Sequence, residues 1–248
     1  MTKAGYPRRG LHGEVVHTIG VRIARGDLAP GELLPNEAEL GSELHVSRTV
    51  LREAIKVLAA KGLVESRPKT GTRVRPRREW NLLDPDVLAW RIAAGPLDRF
   101  HDEIFVVRRL IEPAAARLAA ERRSEEQLRE LREFYAEMAG AVAENDAPRH
   151  VAADLRFHGT IYSACENELL GRIGEMLRAA YREIFTVITH LPGASREALP
   201  LHGSVLEAIA AGDGDAAEVS TLALIDRSAA FPTAPRGPVA GAPPRVTA

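Results

Sequence analysis

The stretch from Pro35 to Ile55, PNEAELGSELHVSRTVLREAI, reads as two short helices joined by a tight turn. Val50, Leu51, Ile55 and Leu58 supply the apolar side of the second helix, whereas Arg48, Thr49 and Arg52 cluster at its beginning on nearly one face. A helix led by cationic and hydroxyl side chains suits the major groove. There arginine donates two hydrogen bonds to guanine, and serine or threonine anchors phosphate. Both helices have predicted caps: Asn36 with Glu39 three residues on makes a capping-box pattern, and Ser47 precedes the second helix.

Upstream, Val15, Val16, Ile19 and Ile23 recur at helical spacing between Leu11 and Arg25, and Gly26 ends that helix before the turn LAPGELLP. After Gly62, LVESRPKTGTRVRP holds two short extended runs around a Pro-Lys-Thr-Gly turn, which predicts a two-stranded wing. Residues 11–76 thus read as a winged helix-turn-helix, behind a flexible N-terminus at 1–10. Charge points the same way. Residues 1–78 hold 15 Lys and Arg against 8 Asp and Glu, while residues 79–248 hold 18 against 26, so the net −1 divides into +7 and −8. A basic first part beside an acidic second suits a polyanionic partner for the first.

Residues 77–97 read as a linker with a short helix near 84–94, and its two tryptophans, Trp80 and Trp90, are expected to dock it against a domain and to carry coupling. Helical periods then run over about 98–122, 124–145, 147–165, 167–190, 197–211 and 213–230, with hardly any strand pattern. The predicted fold class is therefore mainly α: the winged domain, then an all-helical antiparallel bundle at 98–230 for effector binding and dimerisation. Residues 231–248, rich in Pro, Gly and Ala, read as a disordered tail. No window reaches the roughly 18 apolar residues of a membrane span, and the first residues carry no apolar run suited to secretion, so the cytoplasm is the expected compartment. The single cysteine, Cys165, excludes an intramolecular disulfide and reads as a small buried apolar residue.

Over about 22–74 the run RIARGDLAPGELLPNEAELGSELHVSRTVLREAIKVLAAKGLVESRPKTGTRV resembles the GntR family of transcriptional regulators. The segments VVRRLIEPAAARLAAER, DLRFHGTIY, ENELL and LHGSVLEAIAAGDGDAAE resemble its FadR branch, which carries a ligand-binding domain of the FCD type. A narrower similarity, in REWNLLDPDVLAW and the Arg-Arg-Leu-Ile-Glu-Pro run, is to the repressors of D-galactonate catabolism. The resemblance implies a homodimer on a palindromic double-stranded operator, with a small carboxylate or sugar-acid effector shifting its DNA affinity. Two heads related by a dyad would suit such an operator geometrically. In the family's pattern Ser47, Arg48, Thr49 and Arg52 contact DNA, and Lys69, Thr70 and Gly71 of the wing approach the minor groove or backbone. Ala38 stands where several relatives carry an arginine.

Asp154 and His158, four apart on one predicted helix, share a face, and spacing alone suits a salt bridge or polar core pair as well as a ligand site. The resemblance implies more: Asp154, His158 and His202 match positions that ligate a divalent metal such as zinc in many FCD domains. The third histidine of that pattern aligns with Leu224. The three residues would then either hold an ion with three protein ligands or hydrogen-bond the effector directly. Arg108 matches the arginine that grips the effector's carboxylate with two parallel hydrogen bonds, its structural alternative being a surface pair with a glutamate, a role that suits Arg109 better. Asn167 is placed either as a pocket contact or as a helix start, and Glu112 as a structural residue. An enzymatic alternative finds no phosphate-binding glycine loop, no serine nucleophile motif and no HExxH, so no catalysis is expected; sensing of lactate, glycolate, a uronate or an amino acid is the other alternative.

Overall fold

The computed structural model of the chain describes residues 10–68, 70–94 and 97–231, the side chains of 93 and 97–101 excepted. Helix α1 (Leu11–Arg25) is followed by α2 (Glu37–Glu43), α3 (Arg48–Ala60), β1 (Val64–Arg67) and β2 (Gly71–Val74). After a short 3₁₀ turn at Arg77–Glu79 come α4 (Pro85–Ala94), α5 (Leu97–Arg122), α6 (Glu125–Glu144), α7 (Ala147–Ala164), α8 (Glu168–Thr189), α9 (Ala194–Ala211) and α10 (Gly214–Ala229). The predicted tail at 232–248, most of the N-terminal stretch and Lys69 lie outside the described residues.

Caps explain the boundaries in the first part. Asn36 accepts from the amides of Ala38 and Glu39, both at 3.0 Å, while the Glu39 carboxylate receives the Asn36 amide at 3.2 Å, which completes the capping box. Ser47 caps α3 through the Val50 amide. Between these helices His45 takes φ 54, a left-handed turn conformation that usually falls to glycine. Val15, Val16, Ile19 and Ile23 of α1 pack with Leu40, Leu51, Leu58 and Leu63 into one core, each burial contributing about 1.5–3 kcal/mol. The wing pairs antiparallel, Val64 opposite Val74 and Arg67 opposite Gly71. Leu33 adds an isolated bridge to Arg73, so the segment read only as a turn also lines the wing's edge.

The second core is built from α5 to α10: α5 packs on α10, α6 on α7, α7 on α8, and α9 on α6 and α10. Cys165 is fully buried there. Helix α4 serves both cores. Its Val87 and Trp90 belong to the first, and its Leu88 and Ile92 to the second. Trp80 and Trp90 are both buried, Trp80 donating to the Arg75 carbonyl and Trp90 to His17 Nδ1, each at 2.9 Å. Gly20 makes the seat for Trp90, since a Cβ there would lie 2.5 Å from the indole. Lys61, at the end of α3, reaches Asp84 and Asp86 at 2.8 Å, and these pairs outweigh the burial that would lower its pKa. The linker is thus held by an ion triad as well as by two rings.

Candidate functional site

Ser47, Arg48, Thr49 and Arg52 are all exposed at the leading end of α3, and Thr70 and Gly71 are exposed at the tip of the wing, with Gly71 at φ 93. Ser47 has a structural duty there as the helix cap. Arg52 is already engaged: its Nε–H is shared between both carboxylate oxygens of Glu37 on α2, at 3.0 and 2.9 Å. That bond holds Glu37 below the usual carboxylate range. The pair fixes the guanidinium's orientation and leaves its two terminal nitrogens available to a partner. Ala38, beside Glu37, is exposed and offers no polar contact.

In the second domain α7 carries Asp154 and His158, and α9 brings His202 onto the same point. His158 Nε2 lies 3.3 Å and His202 Nε2 3.2 Å from Asp154 Oδ1, and all three residues are buried. The other ring nitrogens face acceptors. His202 Nδ1 is 3.0 Å from the Ala198 carbonyl, and His158 Nδ1 is 3.3 Å from Glu112 Oε2. Neither partner can donate, so Nδ1 of each ring carries a proton, and each Nε2 faces the Asp154 oxygen, where it either carries a second proton or gives its lone pair to a cation. Three lone-pair donors, all within 4.8 Å of one another, converge where a positive charge belongs. Imidazoles oriented through Nδ1–H by a carboxylate and a backbone carbonyl are held as metal-ligating histidines are. Burial opposes ionisation of Asp154, but the neighbouring charge of His202 and hydrogen bonds from both histidines hold it far below the ordinary carboxylate range.

Arg108 borders the same space and is 1 % exposed. Its role differs from the expected two-pronged grip on a ligand. Glu112, one turn along α5, takes Nε at 2.6 Å and Nη2 at 3.3 Å, so only Nη1 is left without a partner. The rings of Phe105, Tyr181 and Phe185 surround the guanidinium at 5.0 to 5.4 Å. Burial would raise the Glu112 pKa, yet Arg108 and His158 hold it below the usual range. Arg109, in contrast, sits exposed and pairs with Asp226 at 2.7 Å. Asn167 takes the helix-start role of its two expected ones: it is exposed, is not among the residues lining this cavity, and its Oδ1 caps α8 by accepting from the amides of Leu169 and Leu170 at 3.1 Å. Leu224 lines the cavity as an apolar wall, and it cannot donate to an ion.

The cavity lined by Arg108, Asp154, His158, His202 and Leu224 measures only about 20 Å³, room for one ion or water. Formal charge restricts what enters. With neutral imidazoles, Arg108 offsets one of two carboxylates and an excess negative charge remains, so an incoming anion needs a cation or protons beside it.

Residues 11–74 match the model of bacterial regulatory proteins of the gntR family, and residues 103–227 match the FCD domain. The chain belongs to the GntR family. Its relatives include the uncharacterized HTH-type transcriptional regulator YieP of Escherichia coli K12, 36% identical over 88% of this chain and 94% of that protein. The galactonate operon transcriptional repressor of the same organism is 35% identical over 86% and 93%. LutR of Bacillus subtilis is 31% identical over 81% and 91%. Among solved structures the fold resembles Lar of Listeria monocytogenes, with TM-score 0.59, 21% identity and coverage of 90% and 97%. A GntR-family chain with an FCD domain is a transcriptional regulator, and the domains and relatives found are those of regulators, not enzymes. Among its described residues no helix is long and apolar enough to cross a membrane.

Three residues of this GntR-family site were missed or undervalued from the sequence. Glu112 had a signal, the Arg108–Glu112 spacing of four on one helix. His150 had another, standing one turn before Asp154 on α7. It is buried, lines the cavity and leaves Nδ1 without a partner. Glu37 had no such signal, because its partner Arg52 belongs to a different helix.

Proposed function

We propose that this regulator binds a palindromic operator as a homodimer in the cytoplasm and represses a sugar-acid catabolic operon until a small carboxylate of the D-galactonate class releases it. What carries the effector half is the convergence of His158 Nε2, His202 Nε2 and Asp154 Oδ1 on one point in a cavity also lined by Arg108, whose Nη1 has no protein partner. On this reading Asp154, His158 and His202 hold one divalent ion such as zinc. The ion supplies the positive charge that lets a carboxylate and its neighbouring hydroxyl enter a site with excess negative charge. Arg108 adds a hydrogen bond from Nη1, and Glu112 keeps the guanidinium and His158 in place. Leu224 leaves the ion with three protein ligands and open positions for oxygen donors from the effector. Ser47, Arg48, Thr49 and Arg52 read the operator, with Lys69, Thr70 and Gly71 on the wing. The galactonate operon repressor among its relatives supports the ligand class.

A shorter effector such as lactate is the second reading, supported by a relative at 30% identity named as a putative L-lactate dehydrogenase operon regulatory protein. A thermal-shift series separates the two. Zinc is expected to raise the melting temperature, a chelator to remove that rise, and D-galactonate to add a further rise only with the ion present. Indifference to both zinc and acids refutes the effector reading. His202→Ala should lose the zinc response.

A further inference from the structure

The cavity has a neighbour. Between the α6–α7 turn and the α8–α9 turn lies an open groove of about 380 Å³, and its lining includes Asn145, Asp146, His190, Ser195 and Arg196. Groove and cavity share His150, Thr189 and Ser195, so these three side chains stand at the junction of the two spaces. His150 is 3 % exposed, a backbone hydrogen bond from its ring engages Met138, and Nδ1 has no partner. A buried polar atom left unpaired costs free energy unless something fills its valence. With one ring nitrogen held by a carbonyl, the other presents a lone pair, which suits a hydroxyl donor and not a carboxylate. The turn above the groove, residues 190–193, connects α8 to α9 through Gly193 at φ 80.

We propose that groove and cavity are two halves of one ligand site joined at His150, and that the ligand is an unbranched polyhydroxy acid lying through the junction. Its carboxylate end enters among Arg108, Asp154, His158 and His202. A hydroxyl further along donates to His150 Nδ1, and the distal hydroxyls lie in the groove against Ser195 and Arg196. This rests on the effector reading above and extends it: the inner cavity, at about 20 Å³, admits no more than the acid's end, whereas the groove beyond the junction selects for chain length. His150, four residues before Asp154 on α7, thereby supplies a ligand contact in a cavity where Leu224 offers none.

Calorimetric titration of the full-length, zinc-loaded protein with hydroxy acids of two, three, four and six carbons tests this. In the wild type, affinity should rise with chain length. In His150→Ala the six-carbon acid should bind roughly five-fold to ten-fold more weakly while the two-carbon acid is unaffected. Ser195→Ala, a half-exposed position that leaves the core alone, should reduce the same gain and serves if His150→Ala does not fold. Acids that bind without any dependence on length overturn the two-part site and leave the effector reading standing. The same holds if folded variants keep the full gain. Failure of every acid to bind overturns both.

Discussion

Glu112 grips Arg108 from one helical turn away, at 2.6 Å and with both side chains almost wholly out of solvent. A buried ion pair of this kind gives little net stability over an apolar pair, but loss of one partner strands the other. Glu112→Gln is therefore expected to lower unfolding stability by about 3–5 kcal/mol. Urea denaturation of wild type and variant checks this, and a change below about 1 kcal/mol would mean that the pair is not formed.

The same relationship sets the behaviour of Arg108 itself. Arg108→Lys keeps a cation beside Glu112 but removes the fork whose Nη1 has no protein partner. Operator affinity should stay within about two-fold of wild type while release by a sugar acid weakens about ten-fold. Filter binding or anisotropy with a promoter duplex reads both. Retained release would remove Arg108 from the ligand site.

At the other end, Arg48→Ala and Arg52→Ala should each weaken operator binding about ten-fold or more, with the loss concentrated on sequence-specific DNA. Glu37→Gln should act in the opposite sense on random duplex. Removing a carboxylate beside the leading end of α3 raises non-specific affinity, and freeing Arg52 lowers discrimination. The ratio of specific to non-specific affinity, measured at several salt concentrations, distinguishes a positioning role for Glu37 from a bystander.

Asp154 has a defined acid dependence. Its carboxyl is held far below its unfolded value, so its stabilising contribution is present at all pH above the ordinary carboxylate range and fades as pH falls toward the depressed value. In chelator, the stability difference between wild type and Asp154→Asn should be constant from about pH 7 to 5 and shrink only below about pH 4. Denaturation midpoints across that range measure it. A gap already closing near neutrality would mean that the carboxylate is not paired with the two histidines.

Helix α4 ties the two ends together, with Trp90 seated over Gly20 and bonded to His17 on one side and Ile92 in the other core. Trp90→Phe deletes the hydrogen bond and part of the contact. We expect effector binding and operator binding to persist separately while the factor by which each weakens the other falls toward one, as reciprocal linkage requires. Effector affinity measured with and without operator gives that factor.

Much of this was visible in the chain because caps and apolar spacing are local. Asn36 and Ser47 each announce a helix start, and the expected helices at 11–25, 147–165 and 213–230 differ from α1, α7 and α10 by at most a residue at either end. Asp154 and His158 share a face by spacing alone. What the chain hid depends on contact across elements: Lys61 with Asp84 and Asp86, Glu37 with Arg52, and His202 arriving on α9. The Leu33 bridge was hidden too, since a strand edge of one residue has no period to detect. Asn167 stayed ambiguous for a related reason: an Asn before a helix can cap it or face a pocket, and only the surroundings decide.

The most direct measurement is operator affinity of the full-length, zinc-loaded protein with and without a six-carbon sugar acid. Specific binding should weaken tens-fold in the acid's presence, which corresponds to about 2 kcal/mol of differential binding between the two arrangements of the heads. His202→Ala should bind the operator with wild-type affinity and fail to respond. An operator affinity indifferent to every hydroxy acid tried, or a response that survives in His202→Ala, would contradict control of the winged domain from the Asp154, His158 and His202 site.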